Sequence, residues 1–338
     1  MSDSIQSEKG VVEDLAARGT VWRSRIARLV TWLITFGCFY LIYTRVEKAA
    51  YREDLTAVEY MVNFFAEADW ILWLCLMIPY SIYFFLIDSH ATWRLIRWFN
   101  APEIKFTNIL PIRASAYILS LVNEQVGKGA MSLYLLQRYE VPVWKAVSSM
   151  IMLGLVEIYQ LLIFSAVGVL LYYDLVVEAS TTYPLPTIML SVYAVAFLYF
   201  PFHLLYFRGH ILRGFHLRDR QLLHAFRQAE LKHYVLLLLF KAPNMLGAML
   251  VYTLALSLFK VDVGFGQMFA FLPVIFLAAA LPLPFHAGAL VLWTVLFPEF
   301  PEVGVFSMVM HTFFVVFNAV IGLVFLPKAN KELFIEKT

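Results

Sequence analysis

The sequence predicts an all-α integral membrane protein with six spanning helices and two re-entrant helical hairpins, arranged as an inverted 3+3 repeat. Three observations lead to this prediction: the apolar composition, six long apolar stretches, and the uneven placement of Lys and Arg. Hydrophobic residues make up 61% of the 338 residues and charged residues only 15%, whereas a soluble domain is about 45–50% apolar. Lipid is therefore the predicted solvent for most of the surface.

Six stretches are apolar enough to cross a membrane as helices, for which about 20 residues are needed. They lie at about 29–44, 70–87, 146–172, 185–207, 234–259 and 303–326. Two further stretches, about 106–142 and 268–298, are apolar but interrupted by charge, Gly or Pro. Neither has the roughly 40 residues that two full spans require, so each is predicted to cross once or not at all.

The distribution of Lys and Arg decides between these possibilities, because short cytoplasmic loops collect basic residues. Residues 1–28 carry five of them and residues 208–233 carry six, whereas residues 173–184 carry none. Basic residues flank the first interrupted stretch on both sides, and acidic residues accompany both flanks of the second. Each stretch is therefore predicted to enter and leave on one side, with both chain termini cytoplasmic in a plasma (inner) membrane.

The resulting order is two spans, a re-entrant hairpin and a third span, followed by the same order inverted. A cytoplasmic segment (1–28) precedes the first repeat (29–172), and the second repeat (173–326) precedes a cytoplasmic tail (327–338). Such inverted repeats are typical of transporters. The alternative is that the hairpins are ordinary buried packing elements, since irregular backbone is tolerated inside protein.

The first hairpin carries polar and charged residues at predicted membrane depth, where such groups usually pair or line a polar path. These residues are Arg113, Asn123, Glu124, Gly127 and Lys128. Gly127 permits a tight turn, and a helix that starts shortly after it would direct its positive end at an anion. Alternatively, Glu124 and Lys128, spaced i and i+4, form a local ion pair.

Glu157 lies near the middle of the third span, where a lone carboxylate is costly unless it is protonated or paired. Arg113, Lys128 and Lys241 are the available cations. We expect the partner to come from a hairpin, hence Lys128 or Arg113. A structural bridge between helices and a direct contact with substrate both remain open for Glu157.

The second hairpin contains Pro282, Pro284, His286 and Gly288, and prolines at this density break a helix. His286 could bind a headgroup or change charge near neutral pH, although we favour a structural role. Lys241 and its neighbours Pro243 and Asn244 are predicted to interrupt the fifth span and to line a polar cavity. The candidate substrate-binding residues are Arg113, Asn123, Glu124, Gly127, Lys128, Glu157, Lys241, His286 and Gly288.

Two stretches stand out as motifs: SLVNEQVGKGAMSLYLLQRYEVPVWKAVSSMIMLGLVEI in the first half and LPLPFHAGALVL in the second. They resemble motifs of the lysylphosphatidylglycerol synthase transmembrane, or flippase-like, family. By this resemblance Gly127 matches the motif glycine, Arg138 the basic residue after the Leu-Leu pair, and Glu157 the helix acid. Pro284 and Gly288 match the second motif.

The sequence also departs from that family's pattern. Lys128 stands where an acidic residue usually follows the glycine, Ile158 replaces an arginine after the helix acid, and the second motif lacks its run of glycines. The family's aminoacyl-transferring member uses a separate soluble domain, so the resemblance implies no transferase activity for this chain.

The resemblance implies a flippase- or scramblase-like transporter that moves an anionic lipid or lipid-linked headgroup between leaflets. Membrane lipids are the expected partners, and a net charge of +2 does not suggest nucleic acid. No metal-ligand or cofactor motif is found, so we expect none. Two alternatives remain: an intramembrane lipid-modifying transferase, which this lack of motifs disfavours, and a non-transporting membrane scaffold or regulator.

Overall fold

The computed structural model describes residues 29–122, 124–180, 184–280, 283 and 286–334, with residues 120–122, 124–128 and 334 described by their backbone alone. All regular secondary structure in these ranges is helical. In chain order the α-helices are α1 (Leu29–Arg52), α2 (Ala57–Ala66), α3 (Trp70–Phe99), α4 (Phe106–Val122), α5 (Glu124–Tyr139), α6 (Val143–Leu171), α7 (Tyr173–Ala179), α8 (Leu185–Phe207), α9 (His224–Gln228), α10 (Leu231–Leu258), α11 (Phe265–Ala279), α12 (Ala287–Leu296) and α13 (Val303–Phe334). Two short 3-10 helices, His216–Asp219 and Gln221–Leu223, precede α9.

Six of these helices, namely α1, α3, α6, α8, α10 and α13, are long and apolar enough to cross a membrane. They coincide with the six predicted spans. Large apolar side chains along them, such as Leu170, Leu198 and Leu239, are exposed, as expected for helices that face lipid. The all-α, multi-pass membrane prediction is therefore confirmed.

Several spans differ from their predicted extent. α1 and α13 each end eight residues beyond the predicted positions, 44 and 326. The second was predicted to end at residue 87, but α3 continues through Asp88 to Phe99. The fifth was predicted to be interrupted near Pro243, but α10 is continuous from Leu231 to Leu258. Tyr83 of α3 donates a hydrogen bond to the Pro243 carbonyl at 3.0 Å. This bond links α3 to α10 at the proline. The chain stays helical through Pro243, and the predicted lining of a cavity by Lys241 and Asn244 is confirmed.

α3 and α10 run antiparallel through the centre of the protein. At one end the backbone N–H of Asp69 donates to the Leu258 carbonyl at 3.0 Å. At the other end the rings of Trp98 and His233 lie 5.1 Å apart. Between these points the buried faces of the two helices form much of the core.

The four shorter helices α4, α5, α11 and α12 pack among the spans. α4 contacts both α5 and α13, and α11 contacts both α12 and α6. Glycines allow the two contacts with spans: a Cβ on Gly322 of α13 would lie 2.7 Å from the Ala114 carbonyl of α4, and one on Gly168 of α6 would clash with the Phe269 carbonyl of α11. Close backbone approach therefore depends on residues without a side chain.

Contacts between loops and helix ends define two ends of the bundle. At the first, which we call the basic end, Ser149 bonds Asn100 at 2.6 Å, and the Ala225 N–H donates to the Ser148 hydroxyl at 3.0 Å. The Arg-rich segment 208–230 lies at this end. We call the other the opposite end; it holds the contact between Asp69 and Leu258.

Candidate functional site

Four charged side chains from four helices meet inside the membrane-embedded part of the protein. They are Asp88 of α3, Arg113 of α4, Glu157 of α6 and Lys241 of α10. The side chains of Asp88 and Lys241 are only 3% and 5% exposed, and that of Arg113 is 16% exposed, whereas that of Glu157 is 40% exposed. We call these four residues the charged cluster.

Asp88 lies at the centre of the charged cluster. Its Oδ2 accepts hydrogen bonds from Arg113 Nε at 2.7 Å and from the Tyr117 hydroxyl at 3.2 Å. Its Oδ1 accepts from Lys241 Nζ at 3.3 Å. Three donors therefore satisfy this buried carboxylate, as burial of a charge requires.

Lys241 joins the two carboxylates of the charged cluster, because its ammonium also donates to Glu157 Oε1. Its own backbone is held as well, since Gln160 Nε2 donates to the Lys241 carbonyl at 2.7 Å. The charged cluster thus contains two carboxylates and two cations. It carries no net charge, which lowers the cost of burying these groups.

The charged cluster lies near the middle of the spans. Lys241 is ten residues beyond Leu231, the first residue of α10, which is about 15 Å along a helix. Glu157 is fourteen residues beyond Val143, the first residue of α6, or about 21 Å. Both helices start at the basic end, and a hydrocarbon core is about 30 Å thick, so these distances place the charged cluster well inside the spans.

A cavity of about 700 Å³ opens beside the charged cluster. Lys241, Glu157 and Gln160 line one side of it, and His286 and His311 also line it. We call it the polar cavity. Through it, Glu157 and Lys241 are the members of the charged cluster that a ligand can reach.

A second cavity, of about 490 Å³, adjoins the first and shares both histidines with it. Its walls include Tyr252, Trp293 and Phe314, and we call it the aromatic cavity. The two cavities together are amphipathic: aromatic rings line both of them, and the charged groups lie in the polar cavity alone. This distribution suits a ligand that has a polar head and an apolar tail.

Two buried amides line these cavities with an oxygen that has no hydrogen-bond partner among the described residues. They are Asn244 Oδ1 in the polar cavity and Asn318 Oδ1 in the aromatic cavity. Because buried polar atoms are normally satisfied, each oxygen is an acceptor that the described residues leave unused.

His286 lies where the two cavities meet. It has a left-handed backbone conformation (φ 50°) just before α12, and its ring bonds the Ala279 carbonyl through Nδ1 at 2.8 Å. A carbonyl only accepts, so Nδ1 carries the proton. The ring also contacts His311, with centroids 4.4 Å apart. The hydrogen bond ties α12 to α11, and the exposed edge of the ring faces the cavities.

Of the sequence-predicted site residues, Arg113, Glu157 and Lys241 come together in the charged cluster, and His286 lines the same cavity as the last two. Gly288 has a different setting: a Cβ there would lie 3.1 Å from the Ala278 carbonyl, so this glycine allows α12 to approach α11.

The other predicted site residues lie at or near the junction of α4 and α5. Glu124, Gly127 and Lys128 belong to the first turns of α5 and are described by their backbone alone. Asn123 lies outside the described residues. The backbone is helical from Glu124 onward, so the predicted tight turn at Gly127, with a helix that starts shortly after it, is wrong. The roles predicted for these side chains stay predictions.

The expected partner of Glu157 was Lys128 or Arg113, both in the first hairpin. Among the described side chains it is Lys241, on a spanning helix, so the preference for Arg113 is wrong. Arg113 is held by Asp88 instead. The pairing of Glu157 with Lys241 cannot be predicted from the sequence alone, because it depends on α6 and α10 being neighbours.

Asp88 is the residue that the sequence reasoning missed. The second span was predicted to end at residue 87, which places Asp88 just outside it, although Asp88 lies in α3 with eleven further helical residues after it. The available signal was a single carboxylate followed by a helix-forming, largely apolar stretch, HATWRLIRWF. Tyr117 and Gln160, which bond members of the charged cluster, carried no signal of their own.

No family model, no curated protein and no solved structure matches this chain. The resemblance of the two motifs to the flippase-like family therefore stays a prediction. Within the described residues, no group of three or more His, Cys, Asp or Glu side chains is placed to hold a metal ion.

Proposed function

We propose that the protein moves an anionic lipid, or the headgroup of a lipid-linked molecule, between the leaflets of the plasma membrane, as a flippase- or scramblase-like transporter. The observation that carries this proposal is the charged cluster at mid-membrane depth, open to an amphipathic pair of cavities. Ionisable groups at this depth are costly and usually functional.

The two cavities suggest how such a substrate is accommodated. Its anionic headgroup lies in the polar cavity, where Lys241 supplies positive charge and Asn244 and Gln160 supply amide groups. Apolar parts of the same molecule contact Tyr252 and Trp293 in the aromatic cavity. Arg113 acts indirectly, because it binds Asp88, which in turn positions Lys241.

The proposal includes two re-entrant hairpins, and the placement of their ends supports this. Asn108 of α4 and Arg138 of α5 both bond Glu332 in the last turns of α13, so both ends of the first hairpin lie together at the basic end. Gln267 of α11 and Leu296 of α12 line one pocket at the opposite end. Each segment thus leaves the bundle at the end where it enters.

The pattern of helix contacts supports the proposed inverted repeat. If the repeats are related by a pseudo-two-fold axis, α4 corresponds to α11, α6 to α13 and α3 to α10. The contact of α4 with α13 then corresponds to that of α11 with α6. The central contact of α3 with α10 corresponds to itself. In this arrangement the basic end is cytoplasmic by the positive-inside rule.

A flip assay in liposomes tests the proposed function. The purified protein is reconstituted with fluorescent phosphatidylglycerol, phosphatidylcholine or a polyprenyl phosphate, and the labelled lipid exposed outside is quenched over time. We expect faster exchange of at least one anionic lipid than in protein-free liposomes. The double variant Lys241→Met, Glu157→Gln removes an opposite pair and leaves Asp88 bonded to Arg113, and it should lose this exchange.

A matched control comes from an exposed ion pair of the same composition. Lys232 Nζ lies 2.8 Å from Glu230 Oε2 at the surface, so Lys232→Met with Glu230→Gln should leave exchange unchanged. A well-folded protein that moves none of the lipids contradicts the proposal. If lipids are then found chemically modified by mass spectrometry, the transferase alternative is favoured; if they are neither moved nor modified, a scaffold role is favoured.

A further inference from the structure

We infer that Glu157 is a proton-binding site, and that an anionic headgroup binding at Lys241 brings one proton onto Glu157, so that anion and proton cross together. This inference rests on the proposed function and adds the co-transported ion and the residue that carries it. It follows from a difference in hydrogen bonding and exposure between Asp88 and Glu157, the two carboxylates that bond Lys241.

The two carboxylates differ in how firmly they are held. Asp88 is buried and accepts from Arg113, Tyr117 and Lys241. Glu157 is partly exposed to the polar cavity, and Lys241 is the one described side chain that donates to it. Of the two, Glu157 is therefore the carboxylate that can leave Lys241.

Access to the ammonium of Lys241 also involves Glu157. Lys241 and Glu157 line the polar cavity, whereas Asp88 and Arg113 do not. An ammonium has three N–H donors, and two of them already bond carboxylates. An anion that reaches Lys241 from the cavity either takes the bond of Glu157 or lies directly beside it. In both cases two negative groups are brought together away from bulk water.

The described groups that face Glu157 include no cation that is not already paired with a carboxylate. α10 contributes Lys241, α3 contributes Asp88, α4 contributes Arg113 and Tyr117, and His286 and His311 lie across the cavity. α11 has no titratable side chain and α8 presents tyrosines on the far side of α6, while the side chains of Glu124 and Lys128 on α5 are outside the described residues.

Both cations in this set are already matched by the two carboxylates, so an added anion leaves a net negative charge. A proton on the carboxylate relieves it, because a nearby like charge disfavours the ionised form.

The exchange is balanced without any covalent change other than proton transfer. The carboxylate of Glu157 binds H⁺ from water in the cavity, and the ammonium of Lys241 donates its freed hydrogen bond to an oxygen of the headgroup. Release of the headgroup on the other side reverses both steps. A higher proton concentration on the loading side should therefore increase transport of an anionic lipid.

Proton uptake on ligand binding tests the inference directly. Purified protein in weakly buffered detergent solution, with a pH-indicating dye, receives dihexanoyl phosphatidylglycerol or, as a comparison, dihexanoyl phosphatidylcholine. We expect uptake of about one proton per bound phosphatidylglycerol, since one carboxylate changes state. Glu157→Gln should bind this lipid without proton uptake, and Glu157→Asp should retain uptake. Glu103→Gln, at an exposed acid in the loop after α3, should match the wild type.

The outcomes separate this inference from the function on which it rests. Binding of phosphatidylglycerol without proton uptake, or equal uptake by wild type and Glu157→Gln, overturns the inference. If the wild type nevertheless exchanges anionic lipid in liposomes, the proposed function stands without proton coupling. A folded protein that neither binds nor moves any anionic lipid overturns both. The Asp variant guards against a folding defect in the Gln variant, since it must show uptake if Glu157 is the proton site.

Discussion

Asp88 accepts hydrogen bonds from both cations of the charged cluster. It accepts from Arg113 on α4, from Lys241 on α10 and from the Tyr117 hydroxyl. Removing one partner of a buried ion pair is far more costly than removing an exposed one, because the remaining charge stays buried and unpaired. Loss of the Asp88 carboxylate leaves Arg113 without its ionic partner and leaves Lys241 with Glu157 alone.

We therefore expect Asp88→Asn to destabilise the protein by about 3–5 kcal/mol. Glu157→Gln should destabilise the protein less, because the side chain of Glu157 is partly exposed and Lys241 stays paired with Asp88. Thermal unfolding of the purified variants in detergent measures both. Asp262→Asn, at an exposed position before α11, should leave the unfolding temperature unchanged. Equal effects of the substitutions at Asp88 and Asp262 would contradict the central role of Asp88.

Glu302, just before α13, is a second buried carboxylate, and it lies outside the membrane-spanning segments. Burial raises the pKa of its carboxyl above the usual value, and the hydrogen bond that Tyr60 donates at 3.0 Å offsets this only in part. Folding thus favours the protonated form. The associated stability is present below the unfolded-state pKa of about 4.3 and is lost as the pH rises through the folded-state pKa.

Glu302→Gln should consequently raise the unfolding temperature at neutral pH, since Gln cannot ionise and its Oε1 can still accept from Tyr60. The gain should shrink as the pH falls toward about 4, where the wild-type carboxyl is protonated in both states. Unfolding temperatures over a pH series test this. Glu299→Gln, at an exposed neighbour, is the control. A gain that is independent of pH would contradict the assignment to ionisation of Glu302.

At the scale of elements, two glycines of α6 have opposite surroundings. A Cβ on Gly168 would clash with the backbone of Phe269 and Ala270 in α11, whereas a Cβ on Gly154 would meet nothing within 4 Å. The obstacle at Gly168 is backbone rather than a flexible side chain, so α6 and α11 would have to separate.

Gly168→Ala is expected to destabilise the protein by about 1–3 kcal/mol through overpacking. Gly154→Ala is the matched control on the same helix, and it should be neutral or slightly stabilising because Ala favours helix. The unfolding temperatures of the two variants, compared with that of the wild type, test this expectation. A tolerated Gly168→Ala would mean that α6 and α11 are not in close backbone contact.

At the scale of the whole molecule, the proposed topology assigns a side of the membrane to every loop. Segment 208–230, with its arginines, is proposed to be cytoplasmic, and the segment around α7 is proposed to be external. Both are accessible to labelling, since Arg213 and Glu178 are exposed. The two native cysteines, Cys38 and Cys75, are free and can be replaced by Ala to give a silent background.

In that background we expect Glu178→Cys to react with a membrane-impermeant maleimide on intact cells. Arg213→Cys should react only after the membrane is permeabilised. The extent of labelling on the purified protein measures the result, and labelling of both variants after permeabilisation is the internal control. The reverse pattern would contradict the proposed orientation and place the basic end outside.

The sequence alone determined the all-α membrane class, the number of spans and most of their positions. These are local properties, because an apolar run of about 20 residues has few alternatives to a helix across lipid. It also singled out Arg113, Glu157 and Lys241, since a charged residue within such a run is conspicuous by itself.

Only the tertiary structure decided how those charges are paired. Asp88, Arg113, Glu157 and Lys241 belong to four helices that are separated in the chain, and nothing in a single apolar run specifies which neighbouring helix it will face. Asp88 shows this most clearly, because its position near the end of an apolar run in the sequence is typical of a helix terminus. It is kept inside α3 because two cations from α4 and α10 and a tyrosine hydroxyl compensate its burial.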